Sequence, residues 1–393
     1  MKKKLLLSIV LFWGVMMCGS AQETGRMVIK GVLTDASTGE PLPFANIGVL
    51  GEPLGVASDV NGEFELQLPA RTADMRLRFS VVGYAHVEMS VREAAEPAWL
   101  QVALKPVVFT LESAHAYAKS LVYEKMLKDV VRDIPKNYPS LPYNYEGYFE
   151  YTLSSGDSVE FSKEAIVNIY DSRGYHRSDV HTVFKELNYR FSQVRRSREV
   201  QSVFDGLNYF DDLLTADVVR HTRNVLDIGQ SGEYVLSSKG KLLYEGDSVQ
   251  VIAYEVKKPT LSTSGSASIT GFSGEIYIHL KDMAVLKNTQ YITASDFTVL
   301  GRNLIRVGNT PREQVRMTLT SNYKKVSGFY FLSGSTIRYS YRENGREVRG
   351  RMQYITTRVN RNTPEPHTGR MYYEDIPANR NFWDTYSAYF QGE

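Results

Sequence analysis

The chain has 393 residues, with 46 lysines and arginines against 44 aspartates and glutamates, and a single cysteine. So small a net charge excludes the broad basic surface that nucleic-acid binding requires. One cysteine excludes an internal disulfide framework, and a chain of this length buries enough apolar surface to fold without one.

Lys2, Lys3 and Lys4 precede an apolar run from Leu5 to Met17, followed by Gly19-Ser20-Ala21. The pattern predicts a signal peptide over residues 1–22, processed at Ala21 or Gln22. The run is too short for a membrane span, which takes about 20 apolar residues. Cys18 lies inside this segment, and lipidation there calls for a small residue before it, where Met17 is large. The mature chain is therefore expected to carry no lipid and no cysteine. Without the three lysines the balance is 43 basic against 44 acidic residues, so the slight positive charge belongs to the signal.

From Val28 to Phe64 the sequence reads VIKGVLTDASTGEPLPFANIGVLGEPLGVASDVNGEF. Thr38-Gly39-Glu40-Pro41 has turn chemistry, since glycine permits positive φ and proline presets its own φ. Ala45, Ile47 and Val49 then alternate with Phe44, Asn46 and Gly48 at the period of a strand. Asp59-Val60-Asn61-Gly62 is a second turn. Phe64, Leu66 and Leu68 form one face of the next strand, and Leu77, Phe79 and Val81 one face of another. One apolar and one wet face per strand predicts an antiparallel sandwich. These residues, with Val82-Gly83-Tyr84, resemble the carboxypeptidase regulatory-like domain of Bacteroidetes-type envelope proteins. The resemblance covers residues 27–106 and implies a transthyretin-type β-sandwich without peptidase chemistry.

Trp99 to Pro106 reads as the last strand of that unit. A helix is predicted from Ser113, as N-cap, to Ile134, with Pro135 ending it. Its apolar stripe is Val122, Met126, Val130 and Ile134, widened by Leu127 and Val131. The linker and helix occupy 107–139, and a curved antiparallel domain occupies 140–393. The main seam is expected between Pro106 and Ser113. The helix, the Ile134-Pro135-Lys136-Asn137-Tyr138-Pro139 segment and the Asn381-Phe382-Trp383 ending resemble a group of exported Bacteroidetes proteins that carry the same first domain.

Hairpins follow. Tyr143–Leu153 and Ser158–Tyr170 flank Ser155-Gly156, and Leu242–Glu245 and Val249–Val256 flank Gly246-Asp247. Glu275–Leu280 and Val285–Thr293 flank Lys281-Asp282-Met283, and Phe329–Tyr341 and Glu347–Val359 flank Asn344-Gly345. A helix is predicted over about Leu207–Val219, and a loop over Thr260–Thr270. Long antiparallel strands with one or two helices resemble the half-barrels of lipoprotein carriers of the LolA and LolB type and the related sensor RseB. A transmembrane barrel fits less well, because neither face of Val180–Val200 is a clean lipid surface.

The search for chemistry excludes more than it finds. No histidine is followed by the glutamate that a zinc carboxypeptidase needs, and His279 reads as a sheet-face residue, so no metal and no cofactor is expected. No complete nucleophile elbow occurs. Ser238-x-x-Lys241 and Ser321-x-x-Lys324 are two-position matches in strand sequence. Asp211 and Asp212 are adjacent on a helix, where they do not face one another, and are read as solvated. Arginines cluster at Arg190, Arg195, Arg196 and Arg198 and again from Arg338 to Arg361. A solvated sheet face accounts for them, with an anionic glycan or lipid headgroup as the alternative. The 26 tyrosines suit cross-strand aromatic rows, with sugar stacking as the sharper alternative. Gly156-Asp157-Ser158 and Gly246-Asp247-Ser248 repeat one turn, and Ser158 and Ser248 match a short O-glycosylation sequon.

The sequence thus predicts a mainly β protein: an N-terminal sandwich, then a larger curved sheet or half-barrel with one or two helices. The function read from it is a non-enzymatic envelope binding or scaffold protein, exported to the periplasm, outer membrane or cell surface. The alternative is a hydrolase or transferase acting on a surface or cell-wall polymer. Candidate partners are an outer-membrane protein, lipid, peptide or glycan. Tyr277, Phe329, Phe331 and Tyr339 are the expected lining of a pocket between sheet and helix.

Overall fold

A computed structural model describes residues 26–52, 54–59, 61–107, 116–156, 158–177, 187–196, 210–265, 267–295, 312–371 and 376–383. The signal segment with Cys18, Ala21 and Gln22, and Ser113 and Arg198, lie outside these residues.

The N-terminal strands are β1 (Arg26–Asp35), β2 (Asn46–Val49), β3 (Gly55–Ala57), β4 (Glu63–Pro69), β5 (Arg76–Ser80), β6 (Val87–Ser90) and β7 (Leu100–Leu104). They form two sheets, ordered β4-β1-β7 and β3-β2-β5-β6. All three predicted apolar rows are buried: Ala45, Ile47 and Val49; Phe64, Leu66 and Leu68; Leu77, Phe79 and Val81. Phe64 meets Phe79 edge-on across the sandwich at 5.8 Å. Both predicted turns are locked by an aspartate. Asp35 Oδ1 accepts from the Ser37 and Thr38 amides, and Asp59 Oδ1 from those of Asn61 and Glu63. A short helix α1 (Val91–Ala95) begins in a reciprocal Ser90–Glu93 capping box.

The third and largest sheet contains β8 (Tyr143–Ser155), β9 (Ser158–Asp171), β10 (Leu187–Arg196), β11 (Tyr234–Tyr244), β12 (Asp247–Val256), β13 (Ile269–His279), β14 (Ala284–Ala294), β15 (Glu313–Val326), β16 (Phe329–Glu343) and β17 (Arg346–Asn360). The order is β11-β12-β13-β14-β15-β16-β17-β8-β9-β10, antiparallel throughout, with two-residue β18 (Arg370–Met371) added in parallel beside β10. The sheet is not closed, and the protein is mainly β. All four predicted hairpins are present, with longer strands than the sequence signals suggested.

Among the described residues four α-helices accompany this sheet: α2 (Ala116–Asn137), α3 (Phe210–Thr215), α4 (Leu261–Ser264) and α5 (Arg380–Trp383). The buried stripe of α2 is Tyr123, Leu127, Val130 and Ile134, while Val122 is 57% exposed. The expected i+4 repeat drifts around a helix of 3.6 residues per turn, so its first member turns out to solvent. Pro135 does not end the helix. It sits in the last turn, which runs to Asn137 and is extended by the Tyr138 amide donating to the Ile134 carbonyl at 3.0 Å. The Thr260–Thr270 stretch is not a plain loop either. Thr260 and Thr263 cap α4 reciprocally, Gly265 closes it at φ +82°, and β13 starts at Ile269. Asp211 and Asp212 are buried rather than solvated, and Tyr189 donates its hydroxyl to Asp211 Oδ1 at 3.1 Å.

Strand register sorts the sheet into two faces. Ile276, Asn288, Ser321, Ser335, Tyr354, Phe149 and Ala165 lie in one row of cross-strand partners, on the inner face. Phe149, Phe191, Phe210 and Tyr354 pack here with ring centroids 5.2–5.6 Å apart where they touch. Together with α2 they belong to one continuous core. The neighbouring row of Tyr277, Lys287, Asn322, Gly334, Ile355 and Tyr148 lies on the outer face. Trp383 of α5 covers part of that face, edge-on to Tyr148 and with the Arg195 guanidinium 5.1 Å above its ring.

Candidate functional site

Three places bring polar or unusual side chains together. The first is a sealed ionic centre beneath the inner face. Arg220 is 2% exposed, and its Nη2 donates to Asp171 Oδ2 and, at 3.4 Å, to the Tyr143 hydroxyl. Its guanidinium stands 4.5 Å over the Tyr175 ring, and Nη1 donates to the Gly174 carbonyl at 3.2 Å. Asp171 Oδ1 accepts the amides of Arg173 and Gly174. Asp217 Oδ1 accepts the Tyr323 hydroxyl at 2.7 Å. Burial pushes the Asp217 carboxyl up against the pull of Arg220. Burial also opposes the Arg220 cation, but Asp171 and the surrounding tyrosines outweigh it and hold the guanidinium firmly protonated. The arrangement is a knot of buried, mutually paired charges.

The second place is the contact between the sandwich and the outer face. Pro43-Phe44-Ala45 turns with Phe44 at φ +60°, a conformation unfavourable for a residue with a side chain. Ser58 holds that turn: its Oγ accepts the Ala45 amide at 2.9 Å and donates to the Leu42 carbonyl at 2.7 Å. The Phe44 ring is thereby driven onto Gly334, where a Cβ would stand 2.3 Å from Cε1. Beside it Lys324 Nζ donates to Asn46 Oδ1 at 2.9 Å, and Asn46 Nδ2 reaches Glu245 at 3.5 Å. Gly83 sits against the Tyr277 ring. What remains between the two parts is a void of about 40 Å³, room for a water or two.

The third place is an arginine-lined cleft of about 540 Å³ on the outer face. Its floor is three adjacent strand segments, 316–318, 338–340 and 349–351, with Thr152 and Ser154 along one side. Two cross-strand rows supply the side chains. One row runs Thr318, Arg338, Arg351, Thr152; the next runs Arg316, Ser340, Arg349, Ser154. Arg351 donates to Glu150 at 3.3 Å and, through Nη1, to Asn61 Oδ1 of the sandwich at 3.1 Å. Arg349 is paired with Glu347. Partial burial, and then the charge of Arg351, pull the Arg338 guanidinium below its ordinary range, with Glu40 opposing.

The turn that presents Asn61 carries a titratable group. Burial is the main reason that the Asp59 carboxyl is pushed up to about 6; the Glu63 and Asn61 amides oppose it, and the charges of Glu63 and Glu150 add to it. Because the folded chain holds this proton more tightly than the unfolded chain, the linked stability is present in acid. It is lost as pH rises from the ordinary 3.8 to about 6. Allowing for partial exposure, the loss is about 1–2 kcal/mol. Urea titrations across this window should show a smaller pH dependence for Asp59→Asn than for the parent. Equal slopes would contradict the assignment.

The expected lining residues do not share one cavity among the described residues. Tyr277 lies on the outer face under the sandwich, 5.5 Å from Lys287 Nζ. Tyr339 is five residues from Gly334 along β16 and so faces inward, where its hydroxyl bonds that of Tyr151 at 2.9 Å. Phe331 packs edge-on to Tyr143 at 5.5 Å, and Phe329 lies 4.1 Å under the Arg361 guanidinium. Two voids described beside the inner face hold about 30 and about 10 Å³, the size of a water. His279 sits between Asp247 and Asp282 at 3.3 and 3.4 Å. Among the described residues no group of three or more His, Cys, Asp or Glu is placed to hold a metal. Ser321 faces inward and Lys324 outward, so that serine–lysine match does not assemble, and Ser238 Oγ is held by Gln250 at a bulge in β11. Ser158 and Ser248 are exposed at hairpin tips. The Phe44–Gly334 contact escaped sequence reasoning, although a glycine inside the strand run Leu332–Ile337 signals close approach by another group.

Residues 29–113 match the family model of the CarboxypepD_reg-like domain. No curated protein matches the chain significantly. Solved structures similar to it include a domain from Vibrio parahaemolyticus described as that of an outer membrane lipoprotein-sorting protein. It is 10% identical, covers 62% of this chain and 94% of that one, and has a TM-score of 0.26. A LolA superfamily protein from Nitrosomonas europaea is 10% identical, with 61% and 94% coverage and a TM-score of 0.23. A membrane-associated protein of unknown function from Bacteroides fragilis is 10% identical, with 86% and 99% coverage and a TM-score of 0.16. These likenesses are loose, and no ligand or activity is carried across from them.

Proposed function

We propose that this chain is an exported, non-enzymatic binding or scaffold protein of the cell envelope, whose working surface is the outer face of the large sheet. The CarboxypepD_reg-like match and the lysine-led N-terminal segment support the envelope reading. The observation that carries the binding reading is the seating of Phe44 on Gly334. It fixes the small domain beside the arginine-lined cleft. The ionic cluster around Arg220 is buried, and burial of that kind fits stability rather than catalysis.

Fractionation of expressing cells with intact-mass analysis tests the export half of this reading. The mature chain is expected in a periplasmic or outer-membrane fraction, beginning at Gln22 or Glu23 with no lipid. A cytosolic protein that retains residues 1–21 overturns it. A diacylglycerol group on Cys18 replaces the unlipidated form with a lipid-anchored one.

A further inference from the structure

Like charges placed directly opposite one another across two strands destabilise a sheet. Arg338 and Arg351 are such a pair, and Arg316 and Arg349 flank them in the adjoining row. With strands about 4.8 Å apart and about 3.3 Å of rise per residue, the four stand within about 12 Å of one another across β15, β16 and β17. Neutralisation is incomplete. Arg351 has Glu150 and Arg349 has Glu347, but neither Arg316 nor Arg338 forms an ion pair among the described residues. Hydroxyls border the guanidinium groups: Thr318 and Thr152 flank the Arg338–Arg351 pair in one row, and Ser340 and Ser154 alternate with Arg316 and Arg349 in the next.

We propose that the cleft between β15, β16, β17 and β8 binds an acidic saccharide bearing sulfate or phosphate groups. Arg316 and Arg338 take the charged group, and the neighbouring hydroxyls take the sugar hydroxyls. Guanidinium forks match tetrahedral oxyanions in charge-assisted, two-point hydrogen bonds. A cleft of about 540 Å³ lies within the usual range for small-ligand sites. A bound dianion would offset the repulsion between the facing arginines. The site is less suited to a bilayer surface. Val159 is the one large apolar side chain exposed among its lining residues, and Glu347 stands at its rim. Membrane docking uses a broad apolar face or an unbroken basic one. The inference deepens the binding reading above and rests on it only for the compartment in which such a saccharide is met.

The test uses the full mature chain and a fluorescent heparin-derived hexasaccharide, with maltohexaose as the neutral control, at physiological salt. The parent should bind the sulfated probe and ignore the neutral one. Arg316→Gln with Arg338→Gln should weaken binding by at least about tenfold. Arg190→Gln with Arg358→Gln, which removes the same charge elsewhere on the sheet, should change it by less than about twofold, since screened distant charges contribute little. Thermal melts confirm that both double variants fold. Equal losses in the two double variants would mean diffuse charge attraction and overturn the site. No binding of the sulfated probe also overturns it. Tighter binding to phosphatidylglycerol vesicles than to the saccharide, through the same two arginines, overturns the saccharide assignment in favour of a lipid headgroup. None of these outcomes bears on where the protein is exported, which the fractionation reads separately.

Discussion

Arg220→Met is expected to lower the unfolding free energy by about 3–5 kcal/mol, the cost of leaving a buried charge without its partner. The substitution keeps most of the volume over the Tyr175 ring, so the loss is electrostatic rather than a cavity effect. Asp171 is 0% exposed and Asp217 3% exposed, and both then face an apolar, tyrosine-lined interior with no cation. In the variant the Asp217 carboxyl, which burial already pushes up, loses the opposing pull of Arg220 and is raised further relative to the unfolded chain. The folded variant therefore binds protons more tightly, and its deficit is full at neutral pH and shrinks as pH falls into the carboxylate range. Urea unfolding at several pH values reads both effects. Adding Asp171→Asn to Arg220→Met should recover part of the loss, since a neutral amide costs less to bury than a carboxylate. A loss under about 1 kcal/mol, or one that grows in acid, would contradict the assignment of this knot as the main ionic stabiliser.

Gly334→Val is expected to unseat the sandwich. The new Cβ would lie 2.3 Å from Phe44 Cε1 and 2.4 Å from Cδ1, so the ring must leave its place. The ring has little room to move, because Ser58 and the positive φ of Phe44 hold its base. Overpacking of this kind costs about 1–3 kcal/mol. It should also free the Lys324–Asn46 and Arg351–Asn61 hydrogen bonds, which join the two parts beside that contact. Limited proteolysis should then cut between residues 107 and 115 faster than in the parent. Phe44→Ala in the same chain removes the clash and should restore stability relative to Gly334→Val alone, which gives a favourable coupling in a double-mutant cycle. Additive effects would mean that ring and glycine are not in contact. An unchanged cleavage rate would mean that the wedge does not hold the sandwich down.

Much of the architecture was legible in the residues. Asp59-Val60-Asn61-Gly62 marked a turn because aspartate bonds its own following amides and glycine accepts positive φ, and both events occur locally, although the turn passes between the two sheets of the sandwich rather than closing a hairpin. Alternation at Phe64, Leu66 and Leu68 marked a strand with one buried face, because the period of two is a property of the backbone. The hairpins around Gly246-Asp247 and Asn344-Gly345 were visible for the same reasons. The α2 stripe was nearly right and slipped by one residue at its start, where no local signal distinguishes Val122 from Tyr123.

What residue order alone determined here is therefore local: the turns, the strand alternation, the helix and the charge pattern of the N-terminal segment. The family match over residues 29–113 covers the segment in which those turns and strands lie. Tertiary structure decided which face each strand turns inward. A shift of one residue reverses every side chain on a strand, and that shift separates Tyr277 under the sandwich from Tyr339 in the core. It also decided that Asp211 and Asp212 are buried, that Arg220 meets Asp171 across 49 positions of chain, and that Gly334 receives Phe44. The arginines from Arg338 onward appeared as a run along one hairpin. Only the register of β15, β16 and β17 gathers Arg316, Arg338, Arg349 and Arg351 into one cleft, because spacing along a chain says nothing about which strands become neighbours.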